Sequence, residues 1–525
     1  MIRQYSFRVM ALLFVVLIST TAIFAKNVYP IKTDTVLTCW APLNTNTALA
    51  YKNIGDTPLY KELEKKTGVK VKFIHPVAGN ELEQFNIMLA AGNLPDIIEF
   101  YWFTIPGGAE KALKDGYIVP LNGYLDKDAP NLKKVINSNK DIAKQVKTDS
   151  GKIAVFPFVR MEDSLLVFSG PFLRNDWMKE LGLSVPTTID DWYRVLKAFK
   201  EKKNCSAPLT FFYGSNPNTN ALATTNAFVG AFGTTMDFYL NKNKVVYGPT
   251  QPQYKNFLAT FHKWYDEGLI DKNFGLIDRK TIDAKMSNGQ AGASIGNTGN
   301  GIGRYMDANG NNPKYDLIAA PYPTLVKGAT PEFGHRTQKV GLTDTMAAIT
   351  SSCKNKKLAA QWLDYGYSEE GHMLFNFGIK DVSYNLVNGY PKYSSLLLNN
   401  PDGLNFGQAL ASYTRANYNG SFVQDTRYQE QYLQRPQQKN AVTIWMKTNE
   451  AKHLLPNLTP TLEESTELAK IKNEINTYRD EMTLKFIMGI EPLDNFDKYV
   501  ATLKKMGADQ AIQIYQTALN RYKDR

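Results

Sequence analysis

Residues 151–181 read GKIAVFPFVRMEDSLLVFSGPFLRNDWMKEL. The run divides into an apolar strand at 153–158, a polar break at 160–163, a second strand at 165–168 and a turn at Gly170-Pro171. Arg174-Asn175-Asp176-Trp177 then opens a helix that Gly182 ends. Apolar runs bounded by Gly and Pro are strand signals, and Asp ahead of an apolar-periodic segment is a helix start. A chain that leaves one sheet, crosses in extended form and begins another is what a molecule of two halves needs at its hinge. The length of 525 residues also exceeds what one compact core normally holds.

Upstream, residues 35–100 alternate strand and helix. A strand at 35–40 precedes a helix with Thr57 as N-cap, Pro58 in the first turn and Gly68 as its stop. A strand at 69–74 precedes a helix capped by Asn80 and ended by Gly92, and a third strand runs from 95 to 100. This βαβαβ order demands a mostly parallel sheet with helices on its faces. Ligands of open α/β sheets sit beyond the carboxyl ends of the strands. Those ends carry Trp40 and Asn44 after the first strand, and Tyr101 and Trp102 after the third.

Downstream, 188–203 reads as a helix with Trp192, Leu196 and Phe199 inward, and 214–236 as an Asn-, Thr- and Gly-rich loop near the cleft. Residues 346–350 look like a return crossing. Residues 388–460, rich in Tyr, Asn and Pro, read as an elaboration on one half. Leu468, Ile471, Ile475, Tyr478, Met482 and Phe486 recur at helical spacing, and two further helices follow.

Four stretches carry a resemblance: G-K-I-x-x-x-P from Gly151 to Pro157, F-L-R-N-D-W-x-x-x-L-G at 172–182, A-A-G-N-L-P-D-I-I at 90–98 and W-L-D-Y-x-Y-S-E-E-G-x-x-x-x-N-F-G at 362–378. In this order and spacing the chain resembles bacterial family 1 extracellular solute-binding proteins, the soluble receptors of carbohydrate ABC importers, and within them the long oligosaccharide-binding branch. The resemblance implies an α/β, two-lobe periplasmic-binding-protein fold of type II. Each lobe is then a mainly parallel sheet flanked by helices, with a helical C-terminus. The expected division is 26–160 with 350–440 for lobe 1, and 161–349 with 441–525 for lobe 2.

The implied ligand is an oligosaccharide held between the lobes, with uronic-acid units among the candidates, and the implied partners are inner-membrane permease subunits. The protein is then a monomer without a cofactor and without nucleic acid. The expected contacts are Trp40, Asn44, Tyr101, Trp102, Arg174, Asp176, Asn216, Asn297, Tyr384 and Trp445. An aromatic face suits the C–H surface of a sugar, and amide, carboxylate or guanidinium groups suit its hydroxyls. For Trp40 and Trp102 the alternative is a core aromatic under a loop; for Arg174 it is a local pair with Asp176. Long relatives place a calcium loop after the helix at 188–203. Here Lys200-Glu201-Lys202-Lys203-Asn204-Cys205 lacks the alternating oxygen ligands a hard cation needs, so no metal is expected.

Residues 1–25 carry Arg3 and Arg8, a short apolar core and a small-residue exit, the pattern of a secretory signal peptide cleaved after Ala25 or Ala22; an uncleaved anchor is the alternative. No lipobox cysteine accompanies it, so a periplasmic or extracellular protein without a lipid anchor is expected. The formal charge is +11, with lysines scattered beside acids rather than clustered. Three cysteines (Cys39, Cys205, Cys353) exclude a disulfide framework and leave one bridge or free thiols. Five dispersed histidines without HExxH give no zinc motif, and no G-x-S-x-G elbow occurs. The rival reading is a secreted glycoside hydrolase, with Glu99, Asp163 and Asp176 as candidate carboxylates.

Overall fold

The computed structural model describes residues 27–214, 220–310, 312 and 314–525. The signal-peptide reading and Asn216 lie outside the described residues.

The first sheet is built from β1 (Val36–Trp40), β2 (Lys70–Ile74) and β3 (Ile97–Phe100). The two-residue strand β4 (Val159–Arg160) leads out of this half, and β5 (Ser169–Arg174) and β6 (Ala207–Thr210) begin the other. A small hairpin of β7 (Phe238–Asn241) and β8 (Lys244–Tyr247) precedes β9 (Ala291–Asn297) and β10 (Leu317–Ala319). The chain then returns through β11 (Met346–Ile349) to the first sheet, whose order is β11-β3-β1-β2; the second sheet is ordered β10-β5-β9-β6. A hairpin of β12 (Tyr384–Val387) with β13 (Tyr390–Tyr393), and β14 (Val423–Gln424), complete the strands.

In the first sheet β1, β2 and β3 are parallel and β11 runs against β3; in the second, β6 and β9 are parallel and β5 runs against β9 and β10. Both odd strands have one cause. A helix carries the chain back to the start of the next parallel strand, whereas a direct crossing delivers it at the cleft, where parallel strands end. The first strand laid down after each crossing therefore runs the other way.

The local signals act as their chemistry dictates. Thr57 accepts from the Tyr60 N–H with Pro58 in the first turn, and Gly68 closes Pro58–Thr67 in the left-handed region. Thr188 and Asp191 form a capping box on Ile189–Lys203, as Thr461 and Glu464 do on Leu462–Ile487. Asn80, expected to cap Glu81–Ala91, makes no side-chain cap bond.

Two expectations for residues 151–181 are corrected. The stretch 153–158 makes only isolated bridges, at Ile153 and Phe156. The second strand is not at 165–168 but is β5, which runs straight through Gly170-Pro171. Gly170 serves close approach rather than a turn, since a Cβ there would stand 2.5 Å from the Trp445 indole. The Pro171 carbonyl accepts from Ala320 N (3.0 Å) and Trp445 Nε1 (3.2 Å).

The apolar core is divided accordingly. One cluster draws on residues 37–159 and 340–423, a second on 167–322 and 441–519, and a small third on 377–428. Val340 and β11 thus pack in the first core, ahead of the division expected at 349. The third core gives the Tyr- and Asn-rich stretch its structure. No helix among the described residues is long and apolar enough to cross a membrane.

Candidate functional site

Three segments cross between the cores side by side. β4 pairs in parallel with β14, Val159 with Val423 and Arg160 with Gln424, while Arg160 N donates to Lys339 O at 2.8 Å. A single carboxylate ties all three segments. Asp344 receives both terminal nitrogens of Arg160 (2.6 and 3.0 Å), the Asn419 amide (2.9 Å) and the Gly341 N–H (2.9 Å). A bidentate guanidinium pair fixes orientation as well as distance.

Beside this knot the loop at 414–421 is wrapped around Arg415. Its guanidinium donates to both oxygens of Glu99, one at 3.0 Å, to the Tyr60 hydroxyl at 2.7 Å and to the Asn419 carbonyl. Glu99 lies near the carboxyl end of β3, so the sheet anchors the loop that carries Asn417 and Tyr418, the Tyr418 ring centre lying 4.8 Å from the Arg415 guanidinium.

A cavity of about 240 Å³ opens where these elements meet the second half. Arg160 and Phe168 line it from the first crossing, Asn417 and Tyr418 from the loop, Asn297–Asn300 from the end of β9, and Tyr428 and Tyr432 from the third core. Gln438 Nε2 donates to the Thr298 carbonyl at 3.0 Å and so sets the turn that follows Asn297. The two tyrosine rings lie 5.5 Å apart. Arg160 is the one charged group among the described lining residues, and Asp344 neutralises it.

The telling feature is what remains unpaired. Asn297 Oδ1 and Asn417 Oδ1 are buried without a hydrogen-bond partner, while the Tyr418 hydroxyl is turned to Thr47, outside the cavity. Both asparagines line this cavity. A buried polar atom left without a partner costs about 1–3 kcal/mol, so two acceptors at one place mark a surface completed by something else.

The expected contacts fare unequally. Asn297 is in the cavity. Trp40 lies in the first core, edge-on to Phe100 at 5.4 Å, and Trp102 is fully buried, its Nε1 donating to Ile98 O at 3.1 Å and its ring edge-on to Phe85. Both follow the core-aromatic alternative. Arg174 is 6% exposed, bonded to both oxygens of Asp176 (2.8 and 2.5 Å) and sandwiched between Trp177 and Tyr315. The reversed direction of β5 explains this: its carboxyl end, unlike those of β9 and β10, points away from the cleft. Trp445 is buried against Gly170, its Nε1 shared between the Pro171 and Ala320 carbonyls. Tyr384 packs in the third core against Phe377. Asn44 caps a short turn by accepting from Asn46 N at 2.9 Å, and Tyr101 stays exposed at the end of β3. Neither lines the cavity.

The residues that do line it gave little signal. Arg160 stands in the polar break at 160–163, and Asn417, Tyr418, Tyr428 and Tyr432 in a stretch without periodicity that reads only as an elaboration on one half. The three carboxylates of the hydrolase reading are each committed to a guanidinium: Glu99 to Arg415, Asp163 to Arg336 and Asp176 to Arg174.

At Asn204 the chain caps Ile189–Lys203 in the left-handed conformation. Among the described residues no group of three or more His, Cys, Asp or Glu is arranged to hold an ion. The expected result is that a chelator leaves the melting temperature unchanged; a loss of stability that calcium restores would contradict it.

Two α/β halves, joined by parallel crossings around a polar cavity, define a two-lobe binding protein of type II. The chain belongs to the bacterial extracellular solute-binding protein family, whose model matches residues 44–373. It is similar to the polygalacturonan/rhamnogalacturonan-binding protein YtcQ of Bacillus subtilis, 24% identical over 472 residues and 88% of each chain. It is also similar to the fructooligosaccharide ABC transporter substrate-binding protein FusA of Streptococcus pneumoniae, 27% identical over 353 residues. That match spans 64% of this chain and 62% of FusA. The crystal structure of alginate-binding protein AlgQ2 without calcium ion superposes with a TM-score of 0.72 at 26% identity, covering 93% of this chain and 99% of that one.

Proposed function

We propose that this protein is the receptor of an ABC importer, capturing an oligosaccharide between its lobes and handing it to membrane permease subunits. The observation that carries the reading is the pair of buried, unpartnered acceptors, Asn297 Oδ1 and Asn417 Oδ1, at one cavity beside two tyrosine rings. Two carbonyl acceptors match the hydroxyl groups of a sugar, and aromatic rings match its C–H face. The names of FusA, YtcQ and AlgQ2 support a saccharide as the class of ligand. The cavity lies between segments from both halves. A ligand that completes contacts on both sides favours the closed form, which a permease would recognise. The reading carries with it an exported, unlipidated monomer that does no chemistry on its ligand.

The test is calorimetry on the full chain with kestose, tetragalacturonate and tetramannuronate. At least one of the three is expected to bind. For that ligand Asn297→Ala and Asn417→Ala are each expected to lose about 1–3 kcal/mol of affinity, the range for one buried hydrogen bond to an otherwise unsatisfied group. Binding of none, or both variants binding like the parent, would overturn the assignment. Reducing-sugar release from any of them would favour the hydrolase instead.

A further inference from the structure

A second cavity, of about 530 Å³, lies between residues 103–108 of the first half and the helices Leu462–Ile487 and Ala508–Lys523 of the second. Its chemistry differs from that of the first. Lys472 lines it and makes no ion pair within 4 Å among the described residues; the Tyr515 ring centre is 5.8 Å from its Nζ. Tyr515 raises this ammonium above the ordinary lysine range, burial opposes the shift and Asp237 adds to it. Asp237 spends one oxygen on the Phe238 N–H at 2.8 Å. Glu450 is the other acid at the wall, and burial raises its carboxyl to about 8. At neutral pH it is mostly uncharged and offers an O–H, while its Oε2 accepts from Gly334 N at 2.9 Å. Phe238 and Tyr239 bring aromatic surface to the same wall.

An ammonium with no carboxylate within 4 Å, a hydrogen-bonding acid held neutral by burial and aromatic faces are the groups that a carboxylated sugar ring would meet, with Asp237 the one further carboxylate on the wall among the described residues. The charge answers the carboxylate, the O–H answers a hydroxyl, and the rings answer the C–H face. We propose that this second cavity takes a uronate unit of the ligand, with Lys472 as the partner of its carboxylate. The proposal rests on the oligosaccharide reading above and adds to it the charge of the ligand and the residue that reads that charge. It also moves the site of charge recognition from Arg174, which is consumed by Asp176, to a residue on the C-terminal helices.

The test uses the full chain, tetragalacturonate, its fully methyl-esterified form, tetramannuronate and neutral kestose. At low salt one of the two acids is expected to bind at least tenfold tighter than the ester, a preference that shrinks as salt is raised. Lys472→Met is expected to bring the acid-to-ester ratio for tetragalacturonate, or the salt dependence for tetramannuronate, close to that of a neutral ligand, while Lys472→Arg keeps most of it. Should Lys472→Met not fold, Lys472→Gln takes its place. An acid that binds no better than the ester or kestose overturns the proposal, as does an acid preference that survives loss of the charge. Kestose bound with the acids excluded sinks this inference and leaves the receptor reading standing. No binding of any of the four sinks both.

Discussion

Replacing Glu99 by alanine is expected to cost about 3–5 kcal/mol of stability, the range for removing one partner of a buried ion pair. Glu99 is 7% exposed and Arg415 5%, so the guanidinium left behind has no route to water. Arg415 Nε already lacks a partner, which leaves little room for compensation. The same substitution releases the loop that carries Asn417 and Tyr418, so affinity is expected to fall with stability. Denaturant melts followed by tryptophan fluorescence would read the effect as an early transition of the first half, since two separate cores need not unfold as one. Replacing both residues together, Glu99→Met with Arg415→Met, is expected to recover much of the stability, because a well-packed apolar pair removes the stranded charge. An unchanged midpoint for Glu99→Ala alone would mean that the pair is not the anchor described.

The second large effect is on pH. Burial raises the Glu450 carboxyl to about 8, opposed by the hydrogen bonds from Gly334 N and Asn226 and by the Arg336 charge. Tyr322 also faces it, and the second cavity brings Asp237 and Lys472 to the same wall. A carboxyl raised in the folded state binds its proton more tightly than the unfolded chain does. Its contribution is therefore complete below about pH 4.5 and is lost as the pH rises through about 8. The loss is expected to reach about 4 kcal/mol at the alkaline end of that window. Glu450→Gln keeps the shape and removes the charge, so its melting temperature is expected to fall less steeply between pH 5 and pH 8.5 than the parent's. Equal slopes in the two proteins would show that Glu450 titrates in the ordinary range.

Much of the fold was legible because it is written locally. Alternation of apolar strands with capped helices fixed β1 to β3, and a recurring apolar stripe fixed Leu462–Ile487. What was not legible is non-local. Gly170-Pro171 reads as a turn until Trp445 is seen pressing on it from the far end of the chain. Arg174 sits in a stretch well matched to the family, yet the direction of its strand, which residue type does not disclose, carries it away from the cleft. The tryptophans at the strand ends were chosen for their surface, and that same surface takes them into the core. Asn417 and Tyr418 owe their positions to Glu99, more than 300 residues earlier, and no window of sequence joins the two. Asn297 was expected at the cleft because the family resemblance puts it among the ligand contacts, and it lies at the end of β9.

The reversed strand β11 bears on how the molecule comes into being. As the chain leaves the ribosome, β1, β2 and β3 can assemble early, but one edge of β3 has no neighbour until residues 346–349 have been made. In the interval all four strands of the second sheet are synthesised, ahead of the residues at 441–519 that complete its core. The nascent first half meanwhile presents an open strand edge, the kind of surface on which chains join one another. A gene cut between the two halves would leave that edge open permanently, because the missing strand is encoded after the second half begins. The protein is thus two bodies when folded but one indivisible unit when made.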